Sequence, residues 1–255
     1  MTSSPTVPDE PVIAVAAPVR VRTRLAAADD GPRRVVHASP TAVYVDLDGW
    51  CLGLVSATAS RVPCALWSTL PDLTDLDPVV RVRRGTLVVG GREARVTRLV
   101  DPRAARPRSG AGPTARPASG ATTALAAAYD LPADGRLTPG HLDRLLGRGP
   151  GLTPLGDDVL AGWLAARTAA GAPDEVLAAA VRQRLGATTL LSATLLDCAI
   201  RGESLPQLAD WLAAPTDASA GALLAVGATS GAGLLAGAEL AIASLPRRTT
   251  PRRAA

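Results

Sequence analysis

Lysine and phenylalanine are absent from the 255 residues, methionine occurs once, histidine twice and cysteine three times. Without lysine the chain can form no Schiff base and cannot carry the Gly-Lys-Ser/Thr phosphate loop. Without phenylalanine, and with aromatics at 2% of residues, the apolar 47% rests on Ala, Val and Leu. Such a core has to be built by close helix packing through small side chains. Cys51, Cys64 and Cys198 are an odd, scattered set with no zinc-type spacing and no His-Glu-x-x-His, which excludes a zinc site and a disulfide framework. No pattern of a secretory leader is present, and cytoplasmic localisation is the expectation. No Cys/His or Ser/His pairing is visible, so a covalent nucleophile is not expected.

Every basic side chain that titrates above neutrality is arginine, 27 against 23 acids. The excess lies early: residues 1–120 hold 16 Arg and 11 acids, residues 121–255 hold 11 Arg and 12 acids. Single-stranded nucleic acid is recognised by aromatics interleaved with basic groups. Residues 1–120 offer only Tyr44, Trp50 and Trp67, so no nucleic-acid partner is expected. Arg81, Arg83, Arg84, Arg92, Arg95 and Arg98 read instead as solvated strand faces and turns.

Residues 1–10 read as a disordered tail. A β-rich module follows over 11–101, with short β-prone runs at 12–15, 19–23, 35–37, 42–47, 50–56, 64–68, 79–83, 86–89 and 94–99. Asp29-Asp30-Gly31-Pro32, Asp48-Gly49 and Gly90-Gly91 supply turn chemistry between them. Spacing this short leaves no room for crossover helices, which predicts an antiparallel barrel or sandwich-like module. His37 sits at a strand end. Residues 102–120 are rich in Pro, Gly, Ser, Ala and Arg and read as a linker or surface loop.

From 121 to 246 the period becomes helical, with runs at 122–129, 139–146, 157–170, 173–185, 188–201, 205–213, 218–226 and 230–245 separated by Gly or Pro. The fold class is therefore α+β, the β module preceding a helical domain. Residues 247–255 read as a second disordered tail. The stretch 220–245 is long enough to span a bilayer, but it is rich in Ala and Gly and contains Thr229, Ser230 and Glu239, so no membrane role is expected.

Residues 145–165, LLGRGPGLTPLGDDVLAGWLA, concentrate the unusual features. Gly147, Gly149, Gly151 and Gly156 stand among Pro150 and Pro154, just before Asp157 and Asp158 and a new helical run. Glycines beside prolines describe a stiff, tightly turned loop. Two readings stand. In one, Asp157 is an N-cap and Asp158 a first-turn acid. In the other, the N–H groups of residues 149–153 hold a phosphate or carboxylate, and an Asp binds an amide donor or Mg²⁺. His141, four residues before Leu145, stands in an early helix turn and could project toward the loop. Thr188, Thr189 and Ser192 share a helix face, where Ser192 could instead bond back to its own backbone. Thr229-Ser230-Gly231 opens the last long helix, a position that also suits a simple cap.

GRGPGLTPLGDDVLAGWLA resembles the G-x-G-P-G-L-T-P-S-G-D-D-hydrophobic-L-x-G signature of a bacterial family that includes the AllH-type subunit of oxamate carbamoyltransferase, from anaerobic allantoin catabolism. TTLLSATLLDCAIRG (188–202) and LLAVGATSGAGLLAG (223–237) are similar to two further segments of that family in type and order. Leu155 stands where the family commonly has Ser, Ala228 where it commonly has His, and Gly233 where an acidic residue is frequent.

The resemblance implies a carbamoyltransferase subunit in purine nitrogen catabolism, working with other subunits, on carbamoyl phosphate with oxamate or on oxalurate with phosphate. It makes Asp157 and Asp158 the candidate catalytic residues, with Mg²⁺ an option at either. Gly149, Gly151, Leu152, Thr153, Gly156, Thr189, Ser192, Thr229, Ser230 and Gly231 become candidate binding residues for an anionic small molecule, converging on one pocket. Arg148 is a candidate neutraliser of charge, and an oligomer is compatible with all of this. A non-catalytic anion-binding or assembly subunit, and an independent enzyme on another anion, are the alternatives.

Overall fold

The computed structural model describes residues 12–104 and 119–246. The expected tails at 1–10 and 247–255, and residues 105–118 of the expected linker, lie outside them. The chain divides between Pro102 and Arg103 into two compact units. The fold is α+β, a sheet unit followed by a helical unit.

The first unit is a nine-stranded sheet in the order β2-β7-β8-β9-β1-β6-β5-β4-β3. The strands are β1 (Ile13–Pro18), β2 (Gly31–Pro32), β3 (Val35–Ala38), β4 (Ala42–Leu47), β5 (Trp50–Val55), β6 (Ala65–Ser68), β7 (Val80–Arg83), β8 (Thr86–Val89) and β9 (Arg92–Val100). Asp48-Gly49 turns β4 into β5 with both residues at positive φ, 55° and 81°, the geometry of a two-residue hairpin. β5, WCLGLV, is buried along its whole length, which is why it reads as a continuous apolar run rather than an alternation.

The sheet departs from the all-antiparallel expectation. β1 runs parallel to β9, and β5 parallel to β6. Residues 56–64 return the chain without a helix, and Gly53 N–H bonds the Cys64 carbonyl at 3.0 Å.

The run at 19–23, expected as a strand, is the first half of helix α1 (Val19–Ala27). Val-Arg-Val-Arg alternates like a strand, but burial follows the helical spacing: Val21 and Leu25 are buried, whereas Val19 is 58% exposed. The same spacing places the Arg20 and Arg24 guanidinium groups 5.6 and 4.7 Å from the centre of the Trp50 ring. Elsewhere in the unit Arg34 pairs with Asp46 at 2.8 Å and Arg83 with Glu93 at 2.8 Å.

The second unit holds α2 (Gly120–Ala128), α3 (Leu142–Leu145), α4 (Leu155–Ala169), α5 (Glu175–Gln183), α6 (Leu190–Ile200), α7 (Pro206–Ala213), α8 (Asp217–Leu224) and α9 (Ser230–Ala243). Its centre is the α4–α9 pair, with α6 packed on α4 and α2 on α9. Small residues make the approach close. A Cβ at Gly162 would lie 2.1 Å from the Leu234 carbonyl oxygen, and one at Gly237 1.9 Å from that of Val159. Around the pair, Leu160, Trp163, Leu196, Leu223 and Leu235 form one apolar cluster.

The stretch 220–245 is broken into α8 and α9 by a turn in which Gly227 has φ +59°. Among the described residues no helix is long and apolar enough to cross a membrane.

Candidate functional site

Helix α4 begins at Leu155, two residues before the expected start, with Pro154 at the N-cap position. The Pro154 carbonyl accepts from the N–H groups of Asp157 and Asp158 at 2.9 and 3.1 Å. Asp157 is therefore not the N-cap; it stands at the third position of the helix, its side chain turned into the protein.

That side chain is 1% exposed and fully engaged. Oδ1 accepts from the Gly147 N–H at 2.7 Å, and Oδ2 accepts from the Ser192 hydroxyl at 2.7 Å and from the Thr188 hydroxyl. Gly147 reaches this position at φ +69°, and a Cβ there would meet the Ala187 carbonyl oxygen at 2.4 Å. The loop is thus clasped to the start of α6 through one carboxylate. Thr189 fastens the same join: its hydroxyl accepts from Ser192 N–H at 3.1 Å, capping α6, and donates to the Leu152 carbonyl at 2.5 Å. Ser192 does not bond back to its own helix; Thr194 does, to Leu190 at 2.9 Å.

On its other side the loop meets α9. The Thr153 and Ser230 hydroxyls lie 2.9 Å apart. Ser230 also hydrogen-bonds Asp158, whose Cβ lies 2.7 Å from where a Cβ on Gly233 would be. Burial pushes the Asp158 carboxyl up to about 7; the Ser230 hydrogen bond opposes this and the neighbouring Asp157 charge adds to it. Its Oδ2 has no hydrogen-bond partner among the described residues. Leu155 and Gly233, two of the three departures from the family pattern, face each other here, with a Leu155 methyl 2.9 Å from the same Gly233 Cβ position.

The nominated residues divide by what they touch. Gly156 and Gly231 have their N–H groups engaged by the Arg148 and Val226 carbonyls, each at 3.0 Å. Both sit where a Cβ would strike a neighbouring backbone, so they serve packing. Gly149, Gly151, Leu152 and Thr153 form a bend whose N–H groups have no acceptor among the described residues. Gly151 is exposed at φ +92° with open space around its Cβ position. Thr229 is the N-cap residue of α9 but caps it only through its carbonyl, which accepts from Gly233 at 3.1 Å.

Two basic candidates stand apart. The exposed Arg148 donates from Nε to the Asp143 carbonyl at 3.1 Å. His141 Nδ1 lies 3.0 Å from Thr138 N and 2.9 Å from Thr138 Oγ1, closing a local capping box. In the first unit His37 lies beside the Tyr44 ring. Cys51, Cys64 and Cys198 are buried, and burial pushes the Cys51 thiol up to about 12. Among the described residues no three His, Cys, Asp or Glu side chains gather as a metal site.

Loop, clasp and α9 start all come from one continuous stretch. Residues 145–242 match the family model described as oxamate carbamoyltransferase subunit AllH. The resemblance to an AllH-type subunit is borne out over these residues, which run from the end of α3 to the last turn of α9 and include every nominated site residue. The matched stretch leaves the whole sheet unit outside it. No curated protein and no solved structure matches the chain.

Proposed function

We propose that the protein is a subunit of an oxamate carbamoyltransferase-type complex in cytoplasmic purine and allantoin nitrogen catabolism, and that its 149–153 bend holds the anionic end of a substrate. One observation supports the site reading best: four N–H groups, of Gly149, Gly151, Leu152 and Thr153, are without acceptors among the described residues at the head of α4. Amides so placed, with the positive end of a helix dipole behind them, suit a phosphate or carboxylate. The match to an oxamate carbamoyltransferase subunit supports this reading, in which the substrates are carbamoyl phosphate with oxamate or oxalurate with phosphate. The absence of lysine and the burial of all three thiols suit direct transfer between bound substrates.

The chemistry then requires no covalent intermediate on the protein. The amide nitrogen of oxamate forms a bond to the carbamoyl carbon, the carbon–oxygen bond to phosphate breaks, and the proton that the nitrogen gives up leaves on the phosphate. Asp158 is the carboxylate in position to face the amino group; Asp157 positions the loop.

The test is thermal unfolding of the full chain with carbamoyl phosphate, oxamate, oxalurate or phosphate, with and without Mg²⁺. A ligand at about 100 times its Kd stabilises by about 2.7 kcal/mol. Gly151→Ala, which strains the bend at φ +92° without filling packed space, is expected to abolish that shift. The alternative, a non-catalytic assembly subunit, is favoured by the complete internal engagement of Asp157. It stands in place of the first reading if none of these anions stabilises the chain while assembly with partner subunits proceeds.

A further inference from the structure

The two adjacent carboxylates are treated in opposite ways. Asp157 accepts three hydrogen bonds. Asp158 is 5% exposed, and its Oδ2 is the one carboxylate oxygen among the unpartnered buried polar atoms of the described residues. The hydroxyls nearby cannot supply the missing donor. With Asp158 ionised, Ser230 donates to it and Thr153 donates to Ser230, so both hydroxyl protons are used. The Asp158 Cβ and a Leu155 methyl both lie against Gly233. Oδ2 is thus left able to accept one donor that the described residues do not supply.

That donor is not part of an anion. Asp157 adds negative charge beside Asp158, and Arg148 is exposed and tied to Asp143. A carboxylate or phosphate oxygen brought against Oδ2 would meet an unscreened like charge in a poorly polar surrounding. A primary amide offers N–H and no charge.

We propose that Asp158 is the specificity-determining residue of this site: its Oδ2 accepts the –NH2 of a small ligand that carries a primary amide at one end and an anionic group at the other. This rests on the preceding reading, in which the 149–153 bend holds the anion. The site then distinguishes oxamate from oxalate, which has the same skeleton but a carboxylate oxygen in place of the amide nitrogen. The discrimination depends on pH, because a protonated Asp158 becomes a donor and tolerates the second carboxylate. Asp157 on α4 is the charged group that acts on it, while Thr153 of the loop and Ser230 and Gly233 of α9 bring none.

The experiment is calorimetric titration of the full chain with oxamate, oxalate and inorganic phosphate at about pH 6 and about pH 8, the two sides of the Asp158 titration. Wild type at the higher pH is expected to bind oxamate about tenfold or more tighter than oxalate, a ratio that shrinks at the lower pH and falls within about threefold in Asp158→Asn. Equal affinities at the higher pH, a ratio independent of pH, or a ratio unchanged in Asp158→Asn overturns the proposal. So does oxalate binding that appears only with Mg²⁺, which would make Asp158 a cation ligand. Should Asp158→Asn not fold, the wild-type pH comparison decides by itself. If phosphate and both acids bind without preference, the specificity role alone fails; if none of the three binds, the anion site of the preceding section fails with it.

Discussion

Asp157→Asn keeps the volume of the side chain but replaces one acceptor oxygen by an N–H2 group, against three donors from Gly147, Thr188 and Ser192. With its oxygen kept on the Gly147 N–H, its amide nitrogen can only donate to the Ser192 and Thr188 hydroxyls, whose own protons then lose their acceptor in a buried site. The expected cost is about 2–4 kcal/mol of stability, read as a lower denaturant midpoint, whereas Ser192→Ala removes one of the three bonds and costs about 1 kcal/mol. Asp158→Asn moves the other way, and its effect depends on pH. The folded carboxyl titrates at about 7 against an ordinary 3.8, so the native state binds the proton more tightly than the unfolded chain. Stability linked to this group is fully present below the unfolded value and is lost as pH rises through about 7. At about 1.4 kcal/mol for each tenfold change in proton affinity, the loss is on the order of 4 kcal/mol. Denaturant unfolding is therefore expected to show Asp158→Asn more stable than wild type at about pH 8 and close to it at about pH 4–5. A stabilisation that does not vary with pH would mean that the carboxyl is not held neutral by burial.

Among the elements, the α4–α9 contact has the least tolerance. Gly162→Ala or Gly237→Ala would drive a methyl to about 2 Å from a backbone oxygen of the facing helix. Each is expected to lower stability by about 3 kcal/mol, since backbone must shift to accommodate it. Gly221→Ala is the control: it lies in α8 with nothing near its Cβ position, and is expected to stabilise by about 0.5–1 kcal/mol through helix propensity. This tight packing was legible in composition, because a core without phenylalanine leaves little else than small residues in contact. So were the helical runs, whose glycine and proline boundaries fall within a few residues of the observed ends. The failures share a cause. Val-Arg-Val-Arg alternates with period two, yet long-range burial selects Val21 and Leu25 and makes a helix of it. The parallel pairings of β1 with β9 and of β5 with β6 join segments whose partnership no local pattern announces. Leu155-Gly156 is a poor helix start by propensity, so the carboxylates looked like caps; the observed start depends on Pro154 and on clasps from residues more than thirty positions later.

At the scale of the whole molecule, the buried residues of the helical unit's apolar cluster lie between Leu137 and Ala241, with Ala104, Tyr129, Leu131 and Ile242 packed against them, and the AllH match lies within that unit. The sheet unit buries its own set, Ile13, Val21, Leu52, Leu54, Leu66 and Val82 among them. The early excess of arginine belongs mainly to neither core: residues 1–102 hold 12 Arg and 11 acids, and the other four Arg of residues 1–120 are Arg103, Arg106, Arg108 and Arg116. Two cores with separate residues are two candidates for independent cooperative folding. A fragment spanning Arg103–Ala255 is expected to unfold in one cooperative transition, with near-ultraviolet circular dichroism from Trp163 and Trp211, both buried in its core. It is also expected to keep the ligand-induced thermal shift of the full chain, because every residue of the clasp, the bend and the α9 start lies inside it. A fragment that folds but loses the shift would place part of the binding surface on the sheet unit, and a fragment without near-ultraviolet signal would show that its core cannot form without residues 1–102.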